Sequence, residues 1–165
     1  MALSSASIER PLNAAASRKS QGHSQPRDSS RDRQSVTPLR PVRVLVVDDE
    51  PDSRELTSAV LTAQGMLVQM AESAAEALAM LAAYTPDVIL SDIGMPAEDG
   101  YSLMRRIRAH ESSTKRDIPS IALTAFVRDK DKQQALAAGF NLHLPKPVDL
   151  VALVQSVNTL AKRTS

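Results

Sequence analysis

The sequence predicts an α/β domain in which helices cover both faces of a parallel β-sheet. Short apolar runs rich in branched residues recur along the chain, and such runs are typical of strands buried in a parallel sheet. Longer segments with apolar residues at helical spacing separate them, which gives five strand–helix units from about Val42 to about Leu160. This alternation favours a parallel sheet with crossover helices on both faces.

The predicted elements follow one another closely. The strands are predicted at about Val42–Val47, Met66–Met70, Val88–Ser91, Ser120–Leu123 and Asn141–Leu144. The helices are predicted at Arg54–Gln64, from Ser73 to about Ala83, from Tyr101 to about His110, at Lys130–Ala138 and after Asp149. A loop from Gly94 to Gly100 precedes the third helix.

Residues that start and stop helices support these boundaries. Pro51 suits a helix start, and Asp52 or Ser53 is a candidate N-cap for the first helix. Ser73 followed by Glu76 has the form of a capping box. Further boundary residues are the stop glycines Gly65 and Gly139 and the candidate N-cap Asp149.

Composition restricts the class of protein. The 165 residues suffice for one domain of ordinary size and an appendage. Aromatic residues are scarce and tryptophan is absent, so we expect an aliphatic core. The absence of cysteine excludes disulfides and thiolate metal sites and fits a reducing cytoplasm. The chain has neither the roughly 20 consecutive apolar residues of a membrane helix nor a secretory signal.

Residues 1–40 differ in character from the rest. They hold seven basic and three acidic residues, a net charge of +4, whereas residues 41–165 hold 13 basic and 16 acidic residues, a net charge of −3. This Ser/Gln/Arg-rich segment has few large apolar residues, so we expect a disordered basic tail. Its dispersed charges lack interleaved aromatics and an amphipathic stripe, so neither nucleic-acid nor membrane binding is expected.

Four charged residues lie just after the ends of predicted strands. Asp48 and Asp49 come after the first strand, Asp92 comes after Val88–Ser91, and Lys146 follows the last strand. The carboxyl ends of parallel strands share one edge of an open sheet, where ligands bind. We therefore expect three carboxylates and one ammonium to meet in one site.

Such a site has a defined chemistry. Clustered carboxylates are destabilising unless a cation is present or their pKa values rise. Hard oxygen ligands without nearby His or Cys select Mg²⁺ or Mn²⁺ rather than zinc. Since Mg²⁺ bridges carboxylates to phosphoryl groups, the pattern indicates phosphoryl chemistry on a carboxylate nucleophile.

Four motifs in register resemble the receiver domain of two-component response regulators. They are Val44-Leu45-Val46-Val47-Asp48-Asp49-Glu50-Pro51, Pro86-Asp87-Val88-Ile89-Leu90-Ser91-Asp92-Ile93-Gly94-Met95-Pro96, Ala122-Leu123-Thr124-Ala125 and Leu144-Pro145-Lys146-Pro147. The resemblance runs from about Val42 to about Leu160 and leaves out the tail. It implies a receiver domain over residues 41–165 with a flavodoxin-like (βα)5 fold and strand order 2-1-3-4-5, an order that the sequence alone does not fix.

The resemblance also implies a role for each matching residue. Asp92 would accept a phosphoryl group, and Asp49 and Asp92 would ligate Mg²⁺ directly. Asp48 would act on the metal through water, and the backbone carbonyl of Gly94 would supply another ligand.

The phosphoryl group would have its own contacts. Lys146 would neutralise one of its oxygens. The Thr124 hydroxyl would hydrogen-bond another, assisted by the Ala125 amide. The Lys146–Pro147 peptide bond would be cis, an isomer rare outside X-Pro bonds.

Two pairs of residues bear on switching and on the lifetime of the phosphoryl group. Thr124 and His143 occupy the family's switch positions, where His143 replaces the commoner Tyr or Phe. The imidazole would either make the switch sensitive to pH or, as a neutral group, have the same steric role as Tyr or Phe. Gly94 leaves space for water beside the phosphoryl group whereas Phe126 could screen it, and these effects oppose each other.

The expected partners are a sensor histidine kinase or histidine phosphotransfer protein and a downstream protein target. The chain would catalyse only its own phosphorylation and dephosphorylation, as a monomer or a phosphorylation-dependent dimer. The five residues after Leu160 are too few for a DNA-binding output domain, and direct DNA binding by the tail is a weak alternative. The sequence does not distinguish a free single-domain regulator from a receiver related to a hybrid kinase.

Two alternatives keep the same architecture. One is a protein-interaction module that works without phosphorylation, against which the complete acidic set, Thr124 and Lys146 argue. The other is a phosphatase or FMN-binding enzyme, but the chain has no Asp-x-Asp after its first strand, no flavin loop and no Gly-rich phosphate loop.

Overall fold

A computed structural model describes residues 40–125 and 128–162. The predicted disordered tail and the predicted tuning residue Phe126 lie outside these ranges, apart from Arg40. None of the helices in the described part of the chain combines the length and the hydrophobicity that a membrane span requires.

A five-stranded parallel sheet forms the centre of the domain. Its strands are β1 (Arg43–Val47), β2 (Leu67–Ala71), β3 (Val88–Asp92), β4 (Ser120–Thr124) and β5 (Leu142–Pro145). The spatial order is β2-β1-β3-β4-β5, so the implied strand order is confirmed. The order reverses at β1, and β1 and β3 pair side by side. A reversal of this kind opens a crevice at the carboxyl edge of the sheet.

Six helices connect or follow the strands in the described part of the chain. They are α1 (Pro51–Ala63), α2 (Ala74–Ala83), α3 (Gly100–Arg108), α4 (Ser113–Arg116), α5 (Asp129–Ala138) and α6 (Leu150–Ala161). The single turn of α4 was not predicted, because four polar residues carry no apolar periodicity.

The N-cap prediction for the first helix is wrong. The helix begins at Pro51 with Glu50 as N-cap, and no side chain caps it. The Ser53 hydroxyl donates instead to Asp48, outside the helix. The sequence indicates the tendency to form a helix, but the Ser53 hydroxyl is oriented by its hydrogen bond to the buried Asp48 carboxylate.

The other caps are close to prediction. Ser73 accepts a hydrogen bond from the Glu76 amide, while the Glu76 carboxylate reaches the Glu72 amide rather than that of Ser73. Asp149 accepts from two amides at the start of α6. Gly139 ends α5 with a φ of 111°, a left-handed conformation that favours glycine.

The two faces of the sheet bury separate apolar clusters. In β1, Val44 and Val46 pack toward α1 and α6, whereas Leu45 and Val47 pack toward α2, α3 and α5. This alternation is the period-two pattern of a strand buried on both faces. The core is largely aliphatic, as predicted, but Tyr101 and Phe140 are also buried in it.

The edge of the sheet opposite the acidic residues has its own ion pair. The two terminal guanidinium nitrogens of Arg40 donate to Asp87 at 2.8 Å, and the Arg43 amide donates to Asp87 at 2.8 Å. Burial alone would raise the pKa of Asp87, but these hydrogen bonds outweigh it and lower that pKa to about 2. The pair ties the first described residue to the loop before β3.

Candidate functional site

Strand ends bring the predicted site residues together. Asp48 follows β1, Asp92 ends β3, Thr124 ends β4 and Lys146 follows β5. Their elements are adjacent in the sheet, so residues distant in sequence share one pocket. The Nζ atom of Lys146 lies 3.1 Å from Asp92 Oδ1 and 3.2 Å from Asp48 Oδ2.

The Asp48 carboxylate is buried and accepts several hydrogen bonds. Its Oδ1 accepts from the Glu50 amide at 3.0 Å. Its Oδ2 accepts from the Ser53 hydroxyl at 2.7 Å and from Lys146. The Arg54 guanidinium donates to the Asp48 backbone carbonyl at 2.6 Å, which fixes the turn between β1 and α1.

Asp92 is also buried, on the central strand. Burial raises the pKa of Asp92, and the nearby Asp48 charge adds to that effect. The Lys146 ammonium and a hydrogen bond from the Gly94 backbone act in the opposite direction without cancelling it. A carboxylate whose charge is penalised in this way gains stability from an additional cation.

Lys146 is half-buried and strongly held. Burial by itself would lower the pKa of Lys146, but the hydrogen bond and charge of Asp92, together with Asp48, raise it. The ammonium is therefore charged at neutral pH. One ammonium faces two buried carboxylates, which leaves the pocket with an excess of negative charge.

The donor set fits a hard divalent cation. One carboxylate oxygen from each of Asp48, Asp49 and Asp92 lies within 4.8 Å of the others. Asp49 is exposed, so the pocket opens to solvent on that side. An all-oxygen set with an open side suits Mg²⁺, which keeps several waters. Since Asp48 already accepts three hydrogen bonds from protein groups, Asp49 and Asp92 are better placed to offer direct ligands.

Two glycines border Asp92 in different ways. A Cβ on Gly94 would meet no heavy atom within 4 Å, so the space beside Asp92 is open there. A Cβ on Gly100 would lie 2.4 Å from the Asp92 backbone oxygen, so the start of α3 requires glycine. The sequence indicated Gly100 only as part of a loop.

The remaining predicted residues line the β4 and β5 side. Thr124 is buried, Ala125 is exposed, and His143 is half-buried opposite Ala122 in the β4–β5 register. The alternation of the strands puts His143 and Thr124 on the same face of the sheet. His143 Nε2 is buried without a hydrogen-bond partner among the described residues. The Lys146–Pro147 peptide bond is cis.

A groove of about 330 Å³ adjoins the pocket. Lys146 lines both, and the groove walls come from α1 and from the segment after β5. Its apolar lining residues are Leu56, Pro147, Val148 and Leu150, and Glu50 and Asp52 are also part of it. The sequence did not indicate this groove, because Leu56 fits the apolar spacing of the first helix and its exposure follows only from the fold.

Fold and pocket together define a class of protein, a flavodoxin-like signalling domain with an acidic pocket at the carboxyl edge of its sheet. The family model for the response regulator receiver domain matches residues 44–158. The chain belongs to this family, the receiver domains of two-component systems.

Relatives and solved structures agree with this assignment. The chain is 43% identical over 119 residues to an uncharacterized 14.6 kDa protein of Leptolyngbya boryana, covering 72% of this chain and 89% of that protein. It is 38% identical over 125 residues to the response regulator MprA of Mycobacterium sp. strain KMS, covering 76% of this chain and 53% of MprA. The chain thus spans about half the length of that regulator.

Among solved structures, the receiver domain of the Francisella response regulator 1452 is similar to the chain. The TM-score is 0.69 at 31% identity, with 75% of this chain and 99% of that chain covered. Receiver domains interact with histidine kinases or phosphotransfer proteins, and the acidic pocket lies where the family binds its metal.

Proposed function

We propose that the chain accepts a phosphoryl group on Asp92 from a phosphohistidine of a sensor kinase or phosphotransfer protein. The observation that carries this proposal is the Lys146 ammonium, within 3.2 Å of both buried carboxylates. A cation at that position can neutralise a phosphoryl oxygen next to Asp92. The membership of the chain in the receiver family supports the proposal.

The transfer step replaces one P–N bond with one P–O bond. A carboxylate oxygen of Asp92 attacks phosphorus, and a P–O bond forms as the P–N bond to the donor imidazole breaks. The imidazole leaves with the electron pair of that bond. Lys146 turns to a phosphoryl oxygen, the Thr124 hydroxyl donates to a second, and the Ala125 amide assists. Mg²⁺, held by Asp49, Asp92 and the Gly94 carbonyl, with Asp48 acting through water, would offset the charge gathered on the phosphoryl oxygens.

The same step would change partner binding. When Thr124 turns toward the phosphoryl group, it leaves space on the face that it shares with His143. The half-buried imidazole then moves inward, which alters the surface at β5. A downstream protein that distinguishes the two states would receive the signal, and a phosphorylation-dependent dimer is one form that this recognition can take.

The groove beside Lys146 suits the protein donor. It shares Lys146 with the pocket, and its apolar walls offer contact area to the helix or loop that carries the phosphohistidine. The small phosphodonor acetyl phosphate needs no such surface. Comparison of the two donors therefore separates chemistry at Asp92 from docking.

Phosphorylation with acetyl phosphate and Mg²⁺, followed by intact mass, tests the proposal. We expect one phosphoryl group on the wild type, none on Asp92→Asn and none after EDTA. The exposed residue Asp52 on α1 provides a matched control, because Asp52→Asn removes a nearby charge without touching the acceptor. If phosphorylated histidine donors also fail despite bound Mg²⁺, the relay is wrong and the interaction-module alternative takes its place.

A further inference from the structure

Ser53 makes a side-chain contact that is unnecessary for the helix on which it lies. It is in the first turn of α1, where an exposed serine would only face solvent or cap the helix. Its hydroxyl instead donates to Asp48 Oδ2 at 2.7 Å, the same oxygen that accepts from Lys146 at 3.2 Å. One carboxylate oxygen thus has two donors, a neutral one on α1 and a charged one after β5.

These two donors differ in what happens during phosphorylation. Lys146 must turn from the carboxylates to a phosphoryl oxygen, whereas Ser53 is fixed by its helix. Asp48 is 1% exposed and would reach Mg²⁺ only through water, so when its direct ion pair with Lys146 breaks, the buried carboxylate needs other hydrogen-bond donors. The Ser53 hydroxyl and the Glu50 amide are the donors that stay with it.

We propose that Ser53 is a positioning residue that holds Asp48 so that Lys146 can leave it for the phosphoryl group on Asp92. This inference rests on the proposed function and assigns the release of Lys146 to a residue outside the acidic set. Without the hydroxyl, Asp48 Oδ2 would depend on Lys146 alone and would hold the ammonium more firmly. The rate of phosphorylation would then fall although every acidic residue and Lys146 remain.

Ser53→Ala tests the inference, with Ser53→Thr as the rescue and Ser58→Ala as the control. Ser58 is a half-buried serine on the same helix. The first readout is the rate of phosphorylation by acetyl phosphate under saturating Mg²⁺. The second is hydrogen exchange of the Lys146 ammonium, measured by NMR on metal-free protein labelled with ¹⁵N-lysine. Urea unfolding of each variant verifies that it is folded.

We expect Ser53→Ala to lower the phosphorylation rate about three- to tenfold, the order of effect of one ordinary protein hydrogen bond. Exchange of the Lys146 ammonium should slow in the same variant. Ser53→Thr should restore both, and Ser58→Ala should change neither.

The inference is overturned if Ser53→Ala matches Ser58→Ala in both readouts. It is also overturned if the rate falls while ammonium exchange is unchanged, because that result describes a structural role only. If the wild type accepts no phosphoryl group from any donor, the proposed function fails. Ammonium exchange in the folded, metal-free variants then decides only whether the Ser53 hydroxyl weakens the hold of Asp48 on Lys146, so failure of the proposed function and failure of this contact are told apart.

Discussion

Lys146 and Asp48 are 98 residues apart in the chain, yet Lys146 Nζ lies 3.2 Å from Asp48 Oδ2. The same ammonium lies 3.1 Å from Asp92 Oδ1, so one cation joins the ends of three elements. Its charge competes with any metal for the carboxylates. The balance between this lysine and Mg²⁺ is therefore the central electrostatic property of the pocket.

Removal of the lysine charge should strengthen metal binding while it weakens phosphorylation. We expect Lys146→Met to raise Mg²⁺ affinity about tenfold, because a like charge close to a cation site costs this order of free energy even with strong screening. The phosphorylation rate should fall, since no cation faces the phosphoryl oxygens. Titration calorimetry with Mg²⁺ measures the first effect and intact mass the second. Lys132→Met, at an exposed position on α5, is the control, and equal Mg²⁺ affinity in the two variants would contradict the prediction.

The two glycines near Asp92 should respond oppositely to a methyl group. Gly100→Ala places a Cβ 2.4 Å from the Asp92 backbone oxygen, so the loop must shift. We expect a loss of about 1–3 kcal/mol in unfolding free energy, typical of an overpacked site, and slower phosphorylation. Gly94→Ala meets no atom within 4 Å and should leave the fold intact. Urea unfolding compares them, and equal stability would refute the clash at Gly100.

Asp87 should contribute a pH-dependent part of the stability. Its pKa is lowered from an ordinary 3.8 to about 2, so its contribution is present above pH 4 and disappears as the pH falls toward 2. We expect Asp87→Asn to cost about 1–2 kcal/mol of unfolding free energy at pH 7, because the exposed Arg40 side chain is screened by solvent.

Urea unfolding of wild type and variant at several pH values measures this contribution. The difference between them should shrink below pH 4. Asp117→Asn, on an exposed aspartate beside Arg116, should show little difference at any pH. A wild-type advantage that stays constant down to pH 2 would mean that the Asp87 pKa is not lowered.

The groove next to Lys146 should matter for protein donors only. Leu56 is 56% exposed in it, and Leu56→Asp places a charge where an apolar contact is expected. Phosphotransfer from a cognate phosphohistidine protein should slow about tenfold or more, as for a central interface residue, while acetyl phosphate should react normally. Leu136→Asp, at a comparably exposed leucine on α5, is the control. Equal transfer rates for both variants would remove the groove from the donor interface.

Arg108 should stabilise the fold without acting in the pocket. Its guanidinium donates to the backbone carbonyls of Gly139, Arg116 and Ile118 at 2.9, 2.5 and 2.8 Å. These contacts connect α3 to α4, to the C-terminal end of α5 and to the loop before β4. We expect Arg108→Ala to lower the unfolding free energy by about 2–3 kcal/mol, because half-buried carbonyls lose a charged donor. The rate of phosphorylation of the folded variant should not change. Arg105→Ala, at an exposed position on the same helix, should lie within about 0.5 kcal/mol of wild type.

Much of the fold was predictable because it is encoded locally. Apolar runs gave the strands, helical spacing gave five of the six described helices, and Ser73, Asp149 and Gly139 marked boundaries through short-range hydrogen bonds. The missed element, α4, is a single polar turn. Pro51 begins the first helix as predicted, but the predicted N-cap was wrong because the Ser53 hydroxyl has a partner outside the helix, and helix propensity carries no information on such partners.

The site also has features that are encoded locally and features that depend on tertiary contacts. The order of apolar runs and charged residues along the chain already predicts that Asp48, Asp49, Asp92 and Lys146 meet at the ends of parallel strands. The sharing of one Asp48 oxygen, the need for glycine at Gly100 and the groove beside Lys146 follow only from the folded domain. Periodicity depends on neighbours in sequence. Contacts at about 3 Å depend instead on strand register and packing between distant segments.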